Sequence, residues 1–272
     1  MKNSRLRAVL AILVTVAVFA AMFFLIFFAF QYNQDKLFMQ KMSGQEIMLS
    51  ASFTVTAQTG CMNTVENSYL SAKAGLISGA QAISADISFR KDGVPVLAEK
   101  LSQADVTAVT VERIFDYLAG LKDPTMILNL KQLTNISEID RLAVERELTN
   151  RLIYTGINED QVAYLQYGSP NIRFYIDANP KSNQMSDPVY CEGLAEVALS
   201  KGAFGINCSY KHVTKTFVEA VHKYRLMFSV YDVEKEVDMY RMLDFGVDNI
   251  TTKSPDILLG IISKIQAKAA LH

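Results

Sequence analysis

The chain has 272 residues, 50% of them hydrophobic and 20% charged, with a formal net charge of −1. That length and apolar share fit one large domain plus an extra apolar segment. Near-neutral charge argues against a nucleic-acid-binding protein, which normally presents a basic face.

Residues 8–30 are an almost unbroken apolar run without a charge. About 20 apolar residues in a helix are enough to cross a bilayer. Lys2, Arg5 and Arg7 precede the run, and no equivalent basic cluster follows it at once. The positive-inside rule then puts residues 1–7 in the cytoplasm and the remainder outside. The rival reading is a cleaved signal peptide, whose apolar core is usually about 7–15 residues and ends at a small-x-small site. The FQYNQDK stretch that follows here has no such site. The run therefore reads as an uncleaved, single-pass signal-anchor, with the bilayer as the first expected partner. Residues 31–50 are polar with scattered Met and Phe and read as a juxtamembrane helix or linker. Residues 51–272 remain for the folded domain.

In that domain short apolar runs alternate with helix-length amphipathic segments, the pattern of a parallel α/β fold. Candidate strands are 51–57, 82–87, 126–130, 162–167, 172–176, 204–208, 226–231 and 249–251. Eight strands over this length predict a (β/α)8 TIM barrel. Ser137 with Asp140 resembles a capping box opening a long helix. Val213, Phe217, Ala220, Val221 and Tyr224 follow a helical stripe, Val233, Val237 and Tyr240 repeat it, and Leu258, Ile261, Ile262 and Ile265 predict a closing helix. The fourth and fifth strands are separated only by Gly168-Ser169-Pro170-Asn171, whereas a parallel crossover needs about ten residues. Either the fourth outer helix is lost or one of those strands is misplaced. Cys61, Cys191 and Cys208 lie far apart without a CxxC. One disulfide with a thiol left over, or three buried thiols, are both compatible with that spacing.

Residues 79–100, GAQAISADISFRKDGVPVLAEK, organise the domain. They read as a helix end, a buried strand, a Lys91-Asp92-Gly93 turn and a second extended run at Val94-Pro95-Val96-Leu97. Asp86 interrupts the apolar strand, and a buried ionised Asp is costly unless it is paired or metal-bound. It reads either as a ligand at a barrel mouth or as a loop cap paired with a lysine.

This stretch resembles the core motif of the glycerophosphodiester phosphodiesterase family, Gly-Ala-Asp-x-Ile-Glu-x-Asp-Val followed by Lys-Asp-Gly-x-Pro-Val and His-Asp. Glu66-Asn67-Ser68 resembles that family's Glu-Asn-Thr, and FGVDNITTKSPD over residues 245–256 resembles its Gly-Val-Asp-Gly-Ile-x-Thr-Asp-x-Pro. The resemblance implies a TIM barrel that hydrolyses glycerophosphodiesters to an alcohol and glycerol 3-phosphate. It also implies two histidines as general acid and base, and three carboxylates on a divalent cation.

Position by position, the expected site departs from that pattern. Gln58-Thr59-Gly60 stands where the family has His-Arg-Gly, and Glu99 stands at the second histidine. Ser84 and Asp86 replace the Glu-x-Asp pair, leaving Asp86 as a vestigial metal position. Asn129-Leu130-Lys131 stands where the family has Glu-x-Lys, keeping the Lys and losing the carboxylate, and Lys253 stands where the family often has Asp. The three histidines, His212, His222 and His272, lie away from these motifs, although His212 follows the sixth strand and is a candidate for the mouth. A lone carboxylate holds magnesium or calcium poorly, because these ions take several oxygen ligands.

The sequence therefore points to a degenerate family member, a membrane-anchored pseudoenzyme acting in binding or scaffolding. No cofactor is expected, with magnesium or calcium only if the site is active. Glu66, Asn67, Asn129, Lys131 and Lys253 are substrate-binding candidates for an anionic or phosphodiester headgroup. Lys131 and Lys253 are also placed to pair with Asp86 in a metal-free pocket. The alternatives are an active phosphoric diester hydrolase whose site is rebuilt from Glu66, Asp86, Glu99, Asp177 and Asp232, and a purely structural partner of another membrane protein.

Overall fold

The computed structural model describes residues 2–44 and 46–270, so His272 lies outside the described residues. The chain divides into two compact units, Met1–Glu46 and Ile47–His272. The first is one helix, α1 (Lys2–Gly44), long and apolar enough over Leu13–Met42 to cross a membrane. Its side chains from Leu13 to Phe30 are exposed, as lipid-facing residues would be. Residues 31–44 continue the same helix rather than forming a separate linker.

The second unit is a closed barrel. Its parallel strands are β1 (Thr54–Ala57), β2 (Ala82–Phe89), β4 (Thr125–Leu130), β5 (Leu152–Thr155), β6 (Arg173–Ala178), β7 (Gly205–Ser209), β8 (Met227–Tyr231) and β9 (Asn249–Thr252). They pair in chain order, and β1 pairs with both β2 and β9 to complete the ring. The short β3 (Pro95–Leu97) lies outside the ring as an antiparallel flap on β2. The turn between them has Gly93 at φ 85°, a conformation that glycine adopts without a Cβ clash.

The outer layer is α2 (Tyr69–Ile77), α3 (Val111–Ala119), α4 (Ile136–Glu145), α5 (Val162–Gly168), α6 (Pro188–Ser200), α7 (Lys215–Lys223), α8 (Glu236–Phe245) and α9 (Pro255–Ala269). Side chains supply the first-turn acceptors that the helical backbone cannot, namely Ser68 for α2, Thr110 for α3, Asp187 for α6 and Thr214 for α7. Every barrel strand is thus followed by a helix, and no fourth helix is lost.

The expected strand at 162–167 is α5. Val162 and Leu165 are buried while Tyr164 and Tyr167 are exposed, a helical spacing that the β-prone composition of VAYLQY conceals. The true fourth barrel strand is β5, whose four residues are all buried. The Ser137–Asp140 capping box is also corrected. The α4 helix opens at Asn135, and the buried Asp140 accepts hydrogen bonds from Ser169 (2.8 Å) and from the Asn171 backbone and side chain (3.2 and 2.8 Å), pinning the start of β6. In α8 the buried face is Asp238, Met239, Met242 and Leu243, with Val237 and Tyr240 at its margin.

Candidate functional site

Alternate residues of a strand face one side, and that parity builds the barrel interior. Thr54 and Thr56 lie along β1 with Gln58 just past its end, Ala82, Ser84 and Asp86 along β2, and Ile127 and Asn129 along β4 with Lys131 just past its end. The last member of each column reaches the C-terminal end of the ring, where TIM barrels carry their chemistry. A cavity of about 520 Å³ opens there, lined by Gln58, Ser84, Asp86, Ile127, Asn129 and Lys131 together with Asp177, Tyr231 and Lys253.

Asp86 organises one wall. Its Oδ1 accepts from Asn129 Nδ2 at 2.7 Å and lies 2.9 Å from Lys131 Nζ, while its Oδ2 accepts from Asn67 Nδ2 at 3.0 Å. Asn67 also accepts the Asp86 backbone N–H through Oδ1 at 2.9 Å. The Asn67 backbone stands at φ 53°, in the left-handed region that Asn tolerates better than most residues, which lets one amide face both groups of Asp86. The β2–β4 register sets Asn129 directly opposite Asp86. The Lys131 N–H bonds the Ile87 carbonyl at 2.9 Å and fixes the root of its side chain beside them.

Four more carboxylate and ammonium groups of the mouth, Glu66, Asp177, Asp232 and Lys253, are also engaged. Lys253 Nζ donates to Glu66 Oε1 at 2.5 Å, not to Asp86 as the sequence suggested, and this contact holds the lysine's pKa above its ordinary value. Gln58 Nε2 donates to Asp232 Oδ1 at 2.8 Å. Asn207 Nδ2 donates to Asp177 Oδ1 at 2.9 Å. Burial pushes the Asp177 carboxyl up, against the opposing pull of Asn207, the Gly156 backbone and Lys131. Burial raises the Tyr231 phenol to about 12, helped by Asp177, Cys208 and Asp232.

Gly156 at φ 77° is essential to this packing. A Cβ there would stand 2.4 Å from the Leu130 carbonyl and 2.8 Å from Asn129 Oδ1.

All the site positions read from the sequence, apart from Asn67, line this one cavity: Gln58, Glu66, Ser84, Asp86, Glu99, Asn129, Lys131 and Lys253. Asn67 acts from just behind it through Asp86. Asp177 and Asp232 also line it. His212 and His222 do not. His212 bonds Ser182 Oγ at 2.8 Å, and His222 on α7 contacts Asp248 at 2.8 Å beside the N-terminal end of β9. Cys61, Cys191 and Cys208 are buried and free. Further lining residues escaped the sequence reading, among them Thr155, Asn207, Tyr231 and Thr251. Thr155 was hidden by the misplaced fourth strand. Asn207 was detectable as a polar residue within the buried run 204–208.

A (β/α)8 barrel with a polar, charge-paired mouth defines the class. The sequence profile of the glycerophosphoryl diester phosphodiesterase family matches residues 121–257. The chain belongs to that family. It is 23% identical over 229 residues to a glycerophosphodiester phosphodiesterase of Caldanaerobacter subterraneus subsp. tengcongensis, covering 74% of this chain and 94% of that protein. Among solved structures, a glycerophosphodiester phosphodiesterase from Agrobacterium tumefaciens superposes with a TM-score of 0.60 at 18% identity, covering 76% of this chain and 99% of that one. A phosphodiesterase from Oleispira antarctica, solved with sn-glycerol-3-phosphate, gives 0.62 at 14% identity, covering 77% and 96%. At these identities the superpositions establish the fold.

The divalent cation implied by the family resemblance does not fit these residues. Among the described residues no group of three or more His, Cys, Asp or Glu side chains is arranged to hold a metal ion. At the positions where the resemblance implies ligands only Asp86 is a carboxylate, and its oxygens already serve Asn67, Asn129 and Lys131.

Proposed function

We propose that this chain is a membrane-tethered binding domain of the glycerophosphoryl diester phosphodiesterase family, impaired in that family's usual hydrolysis. Its barrel stands outside the cytoplasm, residues 1–7 lie inside, residues 8–30 span the bilayer, and residues 51–272 form the binding domain. The observation that carries the reading is the saturation of Asp86 by two amides and an ammonium. General acid–base work on a phosphodiester requires groups free to exchange a proton, and losing one such group typically costs about 10²–10⁴ in rate. Gln58 and Glu99 occupy the two positions where the resemblance implies imidazoles. The ligand favoured by Lys131 and Lys253 is an anionic or phosphodiester headgroup, which would draw these lysines from Asp86 and Glu66.

The test is release of glycerol 3-phosphate from a panel of glycerophosphodiesters by the full chain in detergent, with magnesium or calcium, beside Asp86→Ala. No release, together with saturable binding of glycerol 3-phosphate that Lys131→Ala plus Lys253→Ala abolishes, is expected. Release that disappears with Asp86→Ala would defeat the reading. It would favour instead a working hydrolase with a rebuilt site, for which Asp177, with its carboxyl shifted towards the protonated form by burial, is the candidate acid.

A further inference from the structure

We infer that the Lys131 ammonium takes the place of a divalent cation in this mouth, so that ligand binding here is independent of metal. The inference rests on the binding reading above for its ligand and on the geometry of the wall for its mechanism. Ser84 and Asp86 are two residues apart on β2, and Asn129 stands opposite Asp86 on β4, so the three positions form one patch of the cavity wall. Carboxylates at all three would concentrate negative charge that only a multivalent ion balances. Here two of the three are neutral, and one negative charge remains.

One ammonium suffices for that charge. Lys131 Nζ lies 2.9 Å from Asp86 Oδ1, with the Asp86 side chain only 14% exposed and the lysine 31% exposed. The two asparagines fill the other acceptor directions of the carboxylate at 2.7 and 3.0 Å. Lys131 also acts on a second carboxylate, since its charge pulls the Asp177 carboxyl down against the effect of burial. A single cation therefore pairs with one acid and acts through its charge on a second across the cavity. It is carried on a lysine stem whose root is tied to β2 by the Lys131 N–H and the Ile87 carbonyl. A metal ion arriving at Asp86 would have to displace the ammonium and two amides, and it would gain one carboxylate where six or more oxygens are wanted.

The experiment uses the full chain in detergent micelles and manganous ion, read by electron paramagnetic resonance, with glycerol 3-phosphate binding followed by calorimetry. The wild-type chain should bind no manganous ion up to about 1 mM, the upper range of extracellular calcium modules. Its affinity for glycerol 3-phosphate should change by less than about twofold between chelator and added metal. The combined variant S84E/N129E/K131M, checked for folding by thermal unfolding, should gain manganous-ion binding. Metal binding by the wild type that Asp86→Asn removes would overturn the inference, as would glycerol 3-phosphate binding that requires metal. A folded triple variant that binds no metal would overturn it as well. Absence of glycerol 3-phosphate binding under every condition would instead defeat the binding reading, leaving the metal readout to decide the role of Lys131.

Discussion

Lys131 Nζ and Asp86 Oδ1 meet at 2.9 Å across the end of two neighbouring strands, and Asn129 shares the same oxygen. Removing the carboxylate strands a lysine and two amides at once. Breaking a buried pair costs about 3–5 kcal/mol and an exposed one about 1 kcal/mol or less. This pair lies between the two, so Asp86→Ala should cost about 2 kcal/mol and lower the barrel's Tm by about 4–8 °C. Asp86→Asn, which keeps an acceptor oxygen, should cost less. Equal melting of all three proteins would show that the cluster contributes nothing to stability.

The Lys253–Glu66 contact should behave differently. Both side chains are about half exposed, at 43% and 53%, so their coupling is screened. A double-mutant cycle with Lys253→Met and Glu66→Gln should return less than about 1 kcal/mol, falling further at high salt. A coupling several times larger that survives molar salt would contradict this.

Gly156→Ala should be far more damaging than its size suggests. The added methyl meets the Leu130 carbonyl and Asn129 Oδ1, and the left-handed backbone penalises any side chain. A loss of about 3 kcal/mol or more is expected, with weakened ligand binding because Asn129 must move away from Asp86. Normal melting and binding in the variant would show that the β5–α5 turn adapts at no cost.

His222 gives the fold a pH dependence of predictable sign. Its contact with Asp248 holds the imidazole's pKa above 6.5, the contact outweighing the effect of burial. A group raised on folding stabilises fully below its unfolded pKa and loses that contribution as the pH climbs through the folded value. The stability gap between wild type and His222→Gln should therefore be widest below about pH 6.5 and should close at higher pH. Paired thermal scans across that range check it, and a gap that widens with pH would reverse the assignment.

Residues 8–30 should make the chain an integral membrane protein, resistant to alkaline extraction and released by detergent. In right-side-out vesicles, added protease should digest the barrel while sparing a short N-terminal fragment. Protection of the barrel in such vesicles would invert the proposed orientation.

Much of the barrel was legible because its physics is local. The alternation of apolar runs with amphipathic segments gave the fold class, and the Lys91-Asp92-Gly93 turn located the hairpin now seen between β2 and β3. The fourth strand was not legible. β5 is only four residues long, and VAYLQY carries the composition of a strand while folding as α5. Motif position and placement at strand ends gathered most of the mouth residues from a chain in which they are widely scattered. The pairing of Lys131 with Asp86 was legible, whereas Lys253, expected on the same carboxylate, meets Glu66, which only the folded loops bring within range. Asp140 shows the same limit, since its spacing from Ser137 imitates a cap while its partners lie about thirty residues further on.

Thr56 donates to Asn249 at 2.6 Å inside the barrel, across 193 residues of sequence, and Asn249 donates in turn to Ser229 and Thr251. The seam between β1 and β9 is thus closed by side-chain hydrogen bonds as well as by the backbone ladder. Such distant pairing makes folding slow, because the entropy of closing the ring is lost before its contacts form. On a ribosome one edge of the first barrel strand must wait for nearly the whole chain, although β2 can cover the other early. Throughout that interval the nascent chain would present an open, unpaired sheet edge, the state in which chaperone capture and proteolytic surveillance act.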